Sequence, residues 1–245
     1  MNSAYTLDFA KYSGKGIKEA IIDSGIDECH YLPNIVFRKD FTSTSATFKA
    51  NKICKDLIGH GTACTGIISE KAPDAELLII KIFDIELITS YKLLLNSLIY
   101  AIEQGAHVIN LSLGIYEKFN SLRKLYDICN YAYENNIIIV SSENNLTGES
   151  SYPANFDNVI GVTSGEIHSK YGYLYRENNS IELIAKGDWQ RVNWLMGESI
   201  FRAGSSLAAS HITGIISLVL QAFPNSSFKK VKKILLSNFN PICNE

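Results

Sequence analysis

Three residues of this chain could act together as nucleophile, base and orienting acid: Ser206, His60 and Asp23. A serine hydroxyl is a weak nucleophile until a neighbouring imidazole takes its proton, and a carboxylate must hold that imidazole in the right tautomer. Each of the three lies among small residues. Ser206 stands in Gly204-Ser205-Ser206-Leu207-Ala208-Ala209-Ser210, His60 in Gly59-His60-Gly61-Thr62-Ala63-Cys64-Thr65-Gly66, and Asp23 in Ile21-Ile22-Asp23-Ser24-Gly25. Taken singly, each has a plainer reading. Ser206 could cap a core helix, because serine is a preferred N-cap, and Asp23 could open a turn with Ser24 and Gly25. Asp27 reads as a turn residue. Glycines on both sides of His60 allow another stretch of backbone to come close while the ring sits at a helix start. The positive end of the helix dipole disfavours imidazolium there, so His60 is expected to stay neutral and ready to accept a proton.

Chemistry of this kind needs rigid elements to carry it, and the chain supplies them in alternation. Ala20-Ile21-Ile22 reads as a short strand ending at Asp23, and carboxylates at the C-terminal ends of strands in open sheets face the ligand crevice. Ile35 to Phe37 suggests a second strand. Residues 75–83 form a nearly continuous apolar run, the mark of a buried parallel strand. Tyr91, Leu94, Leu98, Ala101 and Ile102 then recur at helical spacing up to Gly105. His107 to Leu113 and Ile137 to Val140 read as strands, separated by a helix with Leu122, Leu125, Cys129 and Ala132 on one stripe. Further strands are expected after Tyr152 and over Ile181 to Ala185. Ser206 opens a long apolar helix that ends before Pro224, and a last helix carries Phe228, Val231, Ile234 and Leu235 on one face and four lysines around the other. Strand–helix alternation predicts a three-layer α/β fold: a doubly wound, mostly parallel sheet with helices on both faces. One domain is expected over residues 1–245.

Composition narrows the classes of function. A net charge of -2 argues against nucleic-acid or anionic-membrane partners. No run approaches the eighteen or so consecutive apolar residues of a membrane helix. The start lacks a basic segment followed by an apolar one, so no secretory signal is read and a cytoplasmic location is expected. The five cysteines are scattered, odd in number and never paired as C-x-x-C, which fits cytosolic thiols better than disulfides or a zinc site. The lysines of the last helix read as a solvated face.

With Asp23, His60 and Ser206 in that chain order, and with the three motifs around them, the sequence resembles the subtilisin-like serine proteases from about Tyr12 to Pro224. The resemblance implies a subtilisin-like fold and hydrolysis of peptide bonds through an acyl-enzyme, with no cofactor. It implies that the strand ending at Ser112, Leu113 and Gly114 pairs with the substrate residues before the cut. It places the oxyanion-hole asparagine at Asn145, or at Asn144 in a register shifted by one, and the turn behind the specificity pocket at Tyr152-Pro153-Ala154. Residues 84–91, with Leu87, Ile88 and Thr89, stand where relatives carry a Gly-rich edge strand, and Leu87 and Ile88 are expected to fill the pocket for the fourth residue before the cut. Cys64 is expected to pack beneath the histidine.

The departures from the family pattern carry expectations too. The glycine before the oxyanion asparagine is replaced by Asn144, or by Glu143 in the shifted register. The Asn-rich calcium loop after the histidine helix is missing, so no metal is expected. Neither a propeptide nor the usual closing elements are seen, which suggests folding in the cytoplasm and narrow specificity, such as processing of a peptide precursor. The alternative is an inactive relative kept for binding. A peptide or protein substrate is the expected partner, with the oligomeric state left open.

Overall fold

Runs rich in Ile, Leu and Val, buried on both faces, form the strands at the centre of the molecule. In the computed structural model, which describes residues 5–30, 32–42, 54–115, 122–143, 151–177 and 179–239, eight of them make one sheet. They are β1 (Lys18–Asp23), β2 (Ile35–Asp40), β3 (Glu76–Lys81), β4 (Val108–Leu111), β5 (Ile138–Ser142), β6 (Ile160–Gly165), β7 (Leu174–Tyr175) and β8 (Leu183–Lys186). The order across the sheet is β2-β3-β1-β4-β5-β6-β8-β7. All neighbours run parallel except β7, which is antiparallel to β8. Among the described residues, five α-helices cover it: α1 (His60–Lys71), α2 (Tyr91–Glu103), α3 (Arg123–Glu134), α4 (Ser205–Ala222) and α5 (Phe228–Asn238).

The sheet divides two apolar layers. Ala20 and Ile22 of β1 pack with Leu94 and Leu98 of α2 and Leu125 and Cys129 of α3. Ile21, between them in sequence, faces the opposite side, where α1, α4 and α5 contribute Ile68, Ile212 and Val231. Helices on both faces of a mostly parallel sheet are the three-layer architecture expected from the alternation. The α2 and α3 stripes and the buried face of α5 fall on the residues named from periodicity.

α4 is apolar nearly all round and packs against β4, β5, β6 and β8. It is the one described helix long and apolar enough to cross a membrane, with mean hydropathy 1.3, yet 83% of it is buried inside the protein. Counting consecutive apolar residues passed over it, because Ser, Thr, His and Gly interrupt the run. A hairpin of β9 (Gln190–Asn193) and β10 (Ser199–Arg202) also escaped the sequence reading. Its strands are four residues each, with five of the eight residues polar, too short for a period to register. Residues 84–87 form bends.

Candidate active site

The chain runs from β1 through β2 and α1 to β3 on one side of β1, then crosses by α2 to β4 on its other side. Ligands of open α/β sheets bind outside the strand ends at such a reversal. Asp23 ends β1 and Ser112 follows β4, its neighbour.

Asp23 is 1% exposed. Its Oδ1 accepts the Ser24 backbone N–H at 2.7 Å, and Nδ1 of His60 lies 2.8 Å from Oδ1 and 3.0 Å from Oδ2. The histidine is held by the helix it begins. The unpaired N–H groups of the first turn of α1 need acceptors. Gly61 N–H donates to Ser24 Oγ at 2.8 Å, and Thr62 donates to Asp56 Oδ2 through both its N–H and its hydroxyl, at 2.9 and 2.7 Å. Asp56 Oδ1 also accepts from Ile58 N–H at 2.9 Å and Gly59 N–H at 2.8 Å. Burial would raise the Asp56 pKa, but these hydrogen bonds hold the carboxyl below its usual value. No role had been read for Asp56. Its signal was present in Asp56-Leu57-Ile58-Gly59-His60, an acid just ahead of a helix start. Asp27 is also more than a turn residue, because it is buried and its Oδ2 accepts Gly197 N–H at 3.0 Å.

The two glycines beside His60 are needed for close approach. Gly59 has φ 95°, and a Cβ there would come within 2.4 Å of the Trp194 indole; at Gly61 it would meet Gly25 O at 2.3 Å. The backbone of the Asp23 segment is thus pressed directly against the start of α1.

One expectation about His60 is overturned. Burial lowers its pKa, but the Asp23 carboxylate, with Cys64 acting in the same direction, raises it well above the usual value. A full charge in hydrogen-bond contact outweighs the partial charge of a helix end.

Ser206 is the second residue of α4, partly exposed, and the N-cap position belongs to Gly204 rather than to a serine. The next residue, Leu207, packs with Ala63, Cys64 and Ile67 of α1, so the starts of the two helices meet. Ser205 Oγ donates to Glu143 O, tying this turn to the end of β5. Asn144 and Asn145 lie outside the described residues.

Cys64, four residues along α1 from His60, is fully buried. Its Sγ lies 3.9 Å from His60 Nδ1 and 3.6 Å from Ser112 Oγ. Asn110 Nδ2 donates to Ser112 Oγ at 2.9 Å and Thr213 Oγ1 to Asn110 Oδ1 at 2.9 Å, which links α1, β4 and α4 through the interior. Cys29, Cys54, Cys64 and Cys129 are free thiols.

Beyond β4, Leu113 and Gly114 line a cavity of about 520 Å³ together with Leu87, Ile88, Thr89 and Leu122. Leu87 and Ile88 are 50% and 75% exposed where they line it, next to a stretch of bends over residues 84–87.

The family model described as the subtilase family matches residues 14–242. The chain belongs to the subtilase family. It is therefore a serine endopeptidase, and the scaffold-only alternative gains no support. Among curated relatives, the major intracellular serine protease of Bacillus subtilis (strain 168) is 30% identical over 89% of this chain and 72% of its own length. The intracellular serine protease of Paenibacillus polymyxa is 28% identical over 89% and 70%. Thermitase of Thermoactinomyces vulgaris is 27% identical over 84% and 75%. A solved structure of a cold-adapted subtilisin-like serine proteinase superposes with TM-score 0.76 at 19% identity, covering 92% of this chain and 83% of that one. That likeness shows the subtilase fold.

Proposed function

We propose that this subtilase cleaves peptide bonds with Ser206 as nucleophile, His60 as general base and Asp23 as the acid that orients it. The observation that carries the reading is the contact of His60 Nδ1 with the buried Asp23 carboxylate, 2.8 Å, where the start of α1 meets the start of α4. With Nδ1–H held by Asp23, the lone pair on Nε2 is free to accept the Ser206 proton as the hydroxyl attacks the carbonyl. The imidazolium then protonates the leaving amine. Water, deprotonated by the same ring, releases the acyl group. As an early residue of α4, Ser206 has a backbone N–H without an intrahelical partner, available to the developing oxyanion with the side-chain amide of Asn145, or of Asn144 in the shifted register.

Substrate residues before the cut lie along Ser112, Leu113 and Gly114 in this reading, with one apolar side chain entering the cavity bounded by Leu87, Ile88 and Thr89. Selectivity for a particular precursor then comes from elsewhere than a closed pocket here. Two relatives named as intracellular proteases support a cytoplasmic place of action.

A fluorophosphonate probe followed by peptide mass spectrometry tests the assignment. Ser206 should be labelled in the wild-type protein, and labelling should vanish in Ser206→Ala and fall strongly in His60→Ala. A label on another serine, or none at all, overturns it.

A further inference from the structure

Asp23 and Ser112 lie at the C-terminal ends of their strands; at the opposite end of the sheet, beside the start of β6, lies a cavity of about 390 Å³. Its walls are Tyr126 and Tyr133 of α3, Phe228 of α5 and the turn at Asp157 and Asn158. A neighbouring cavity of about 340 Å³ continues along α5 to Leu236, and the two share Asp157 and Lys232. Both volumes fall in the range of about 300–1,000 Å³ usual for ligand sites. Asn158 is 5% exposed, and neither its Nδ2 nor its Oδ1 has a hydrogen-bond partner among the described residues. Such an amide has given up water without replacement. The polar groups around it are answered: Tyr126 donates its hydroxyl to Asp157 Oδ1 at 3.3 Å, Lys232 pairs with Glu182, and Asn155 Oδ1 accepts Ser151 N–H at 2.7 Å.

We propose that this cavity is an exosite, which holds an extended, uncharged segment of the polypeptide substrate at a distance from the bond that is cut, with Asn158 pairing to one of its peptide units. An asparagine side chain carries a carbonyl and an NH2 group, the complement of a backbone N–H and C=O. Rotation about its terminal torsion, which is broad and two-fold, turns that amide toward the cavity and breaks no bond, because it makes none. Aromatic walls receive an apolar side chain of the same segment: the Tyr133 and Phe228 rings have centroids 5.2 Å apart, and Tyr126 stands edge-on to Phe156 at 5.1 Å. With Lys232 paired to Glu182, the cavity keeps one further cation, Lys229, and one anion, Asp157, and so offers no net charge to a charged segment.

Distance decides which substrates gain from it. β6 has 6 residues and so separates the two ends of the sheet by about 20 Å. At about 3.3 Å per extended residue, a chain that passes round the surface needs more than about six residues between the cut and the docked segment. A short peptide reaches one place or the other. A long chain held at Asn158 presents its scissile bond at a raised effective concentration, which lowers KM and leaves the chemical step as it was. The span rests on the place of the cut proposed above, whereas the binding does not.

The test has a binding arm and a turnover arm. In 15N NMR of the full chain carrying Ser206→Ala, acetyl-alanyl-leucyl-alanine amide should shift the side-chain amide signals of Asn158 saturably. The same peptide N-methylated at leucine, which lacks that N–H, should bind about 10-fold more weakly, as should the parent peptide to Asn158→Ala. In turnover by the active protein, Asn158→Ala and a second variant in the wall, Tyr133→Ser, should each raise KM for unfolded casein about 10-fold, with kcat and the hydrolysis of a short chromogenic peptide unchanged. A merely structural role would alter both substrates together. No saturable shift, equal binding of the N-methylated peptide, or equal effects on casein and the short peptide overturns the proposal. Peptide binding at Asn158 in a protein that cleaves neither substrate supports the site and sinks the catalytic reading instead.

Discussion

The pairing of His60 with Asp23 makes a measurable statement about protonation. Burial pulls the imidazole pKa down and the carboxylate pulls it up, with the carboxylate ahead. The base works only when neutral, so kcat/KM should rise with pH through a midpoint above the ordinary histidine value of about 6.5. Titration of 15N-labelled imidazole by NMR should find the His60 midpoint above about 6.5 in the wild type. In Asp23→Asn burial is opposed by Cys64 alone, and the midpoint should fall well below that of the wild type. A wild-type midpoint at or below 6.5 would mean that the carboxylate does not govern the ring. Gly59 and Gly61 work at the same scale: one fits under Trp194 and the other against Gly25, and both spaces are too small for a side chain.

At the scale of elements, α1 is the part that must not move, and its first turn is held by acceptors from two other segments. Ser24 and Asp56 take N–H groups that the helix cannot satisfy itself. Asp56 accepts four hydrogen bonds while almost fully buried. Replacing it by alanine strands those donors, so Asp56→Ala should cost about 2–3 kcal/mol in urea unfolding. Asp56→Asn, which keeps one acceptor, should recover part of that. A loss below about half a kcal/mol would show that water replaces the carboxylate without difficulty. The hairpin of β9 and β10 supports the same helix from outside, since Val192 and Trp194 pack on Ala63, Cys64 and Ile67.

For the molecule as a whole, a costly placement among the described residues is Glu19 on β1, with no exposed surface. Neither of its oxygens has a hydrogen-bond partner; the Ser217 hydroxyl lies near enough to lower the pKa slightly without forming a bond of normal geometry. Burial pushes the pKa up to about 8 from 4.5. Below about pH 4.5 folded and unfolded chains both carry the proton, and the group costs nothing in charge. Between that value and about 8 only the unfolded chain ionises, so stability falls by up to about 1.4 kcal/mol per pH unit. Glu19→Gln cannot ionise, and its melting temperature should exceed that of the wild type by a margin that grows from pH 5 to pH 8. A margin independent of pH would show that Glu19 is not buried as a carboxylic acid.

What the sequence determined by itself were the features that repeat locally or sit in one short stretch. Apolar runs and 3.6-residue stripes marked the layers of the sheet and its helices, and the Asp23, His60 and Ser206 stretches each carried their small neighbours with them. Tertiary structure decided what depends on residues far apart in the chain. It set the Asp23 charge close enough to outweigh the helix end and reverse the expected direction of the His60 pKa, and it made Asp56 the acceptor for the first turn of the helix that carries the base. It also left Leu87 and Ile88 largely exposed at the edge of a cavity, which residue size alone does not reveal. The reason in every case is that periodicity reports which face of an element is buried, whereas the charge, the hydrogen-bond partner and the free volume at a site belong to whichever other element packs against that face.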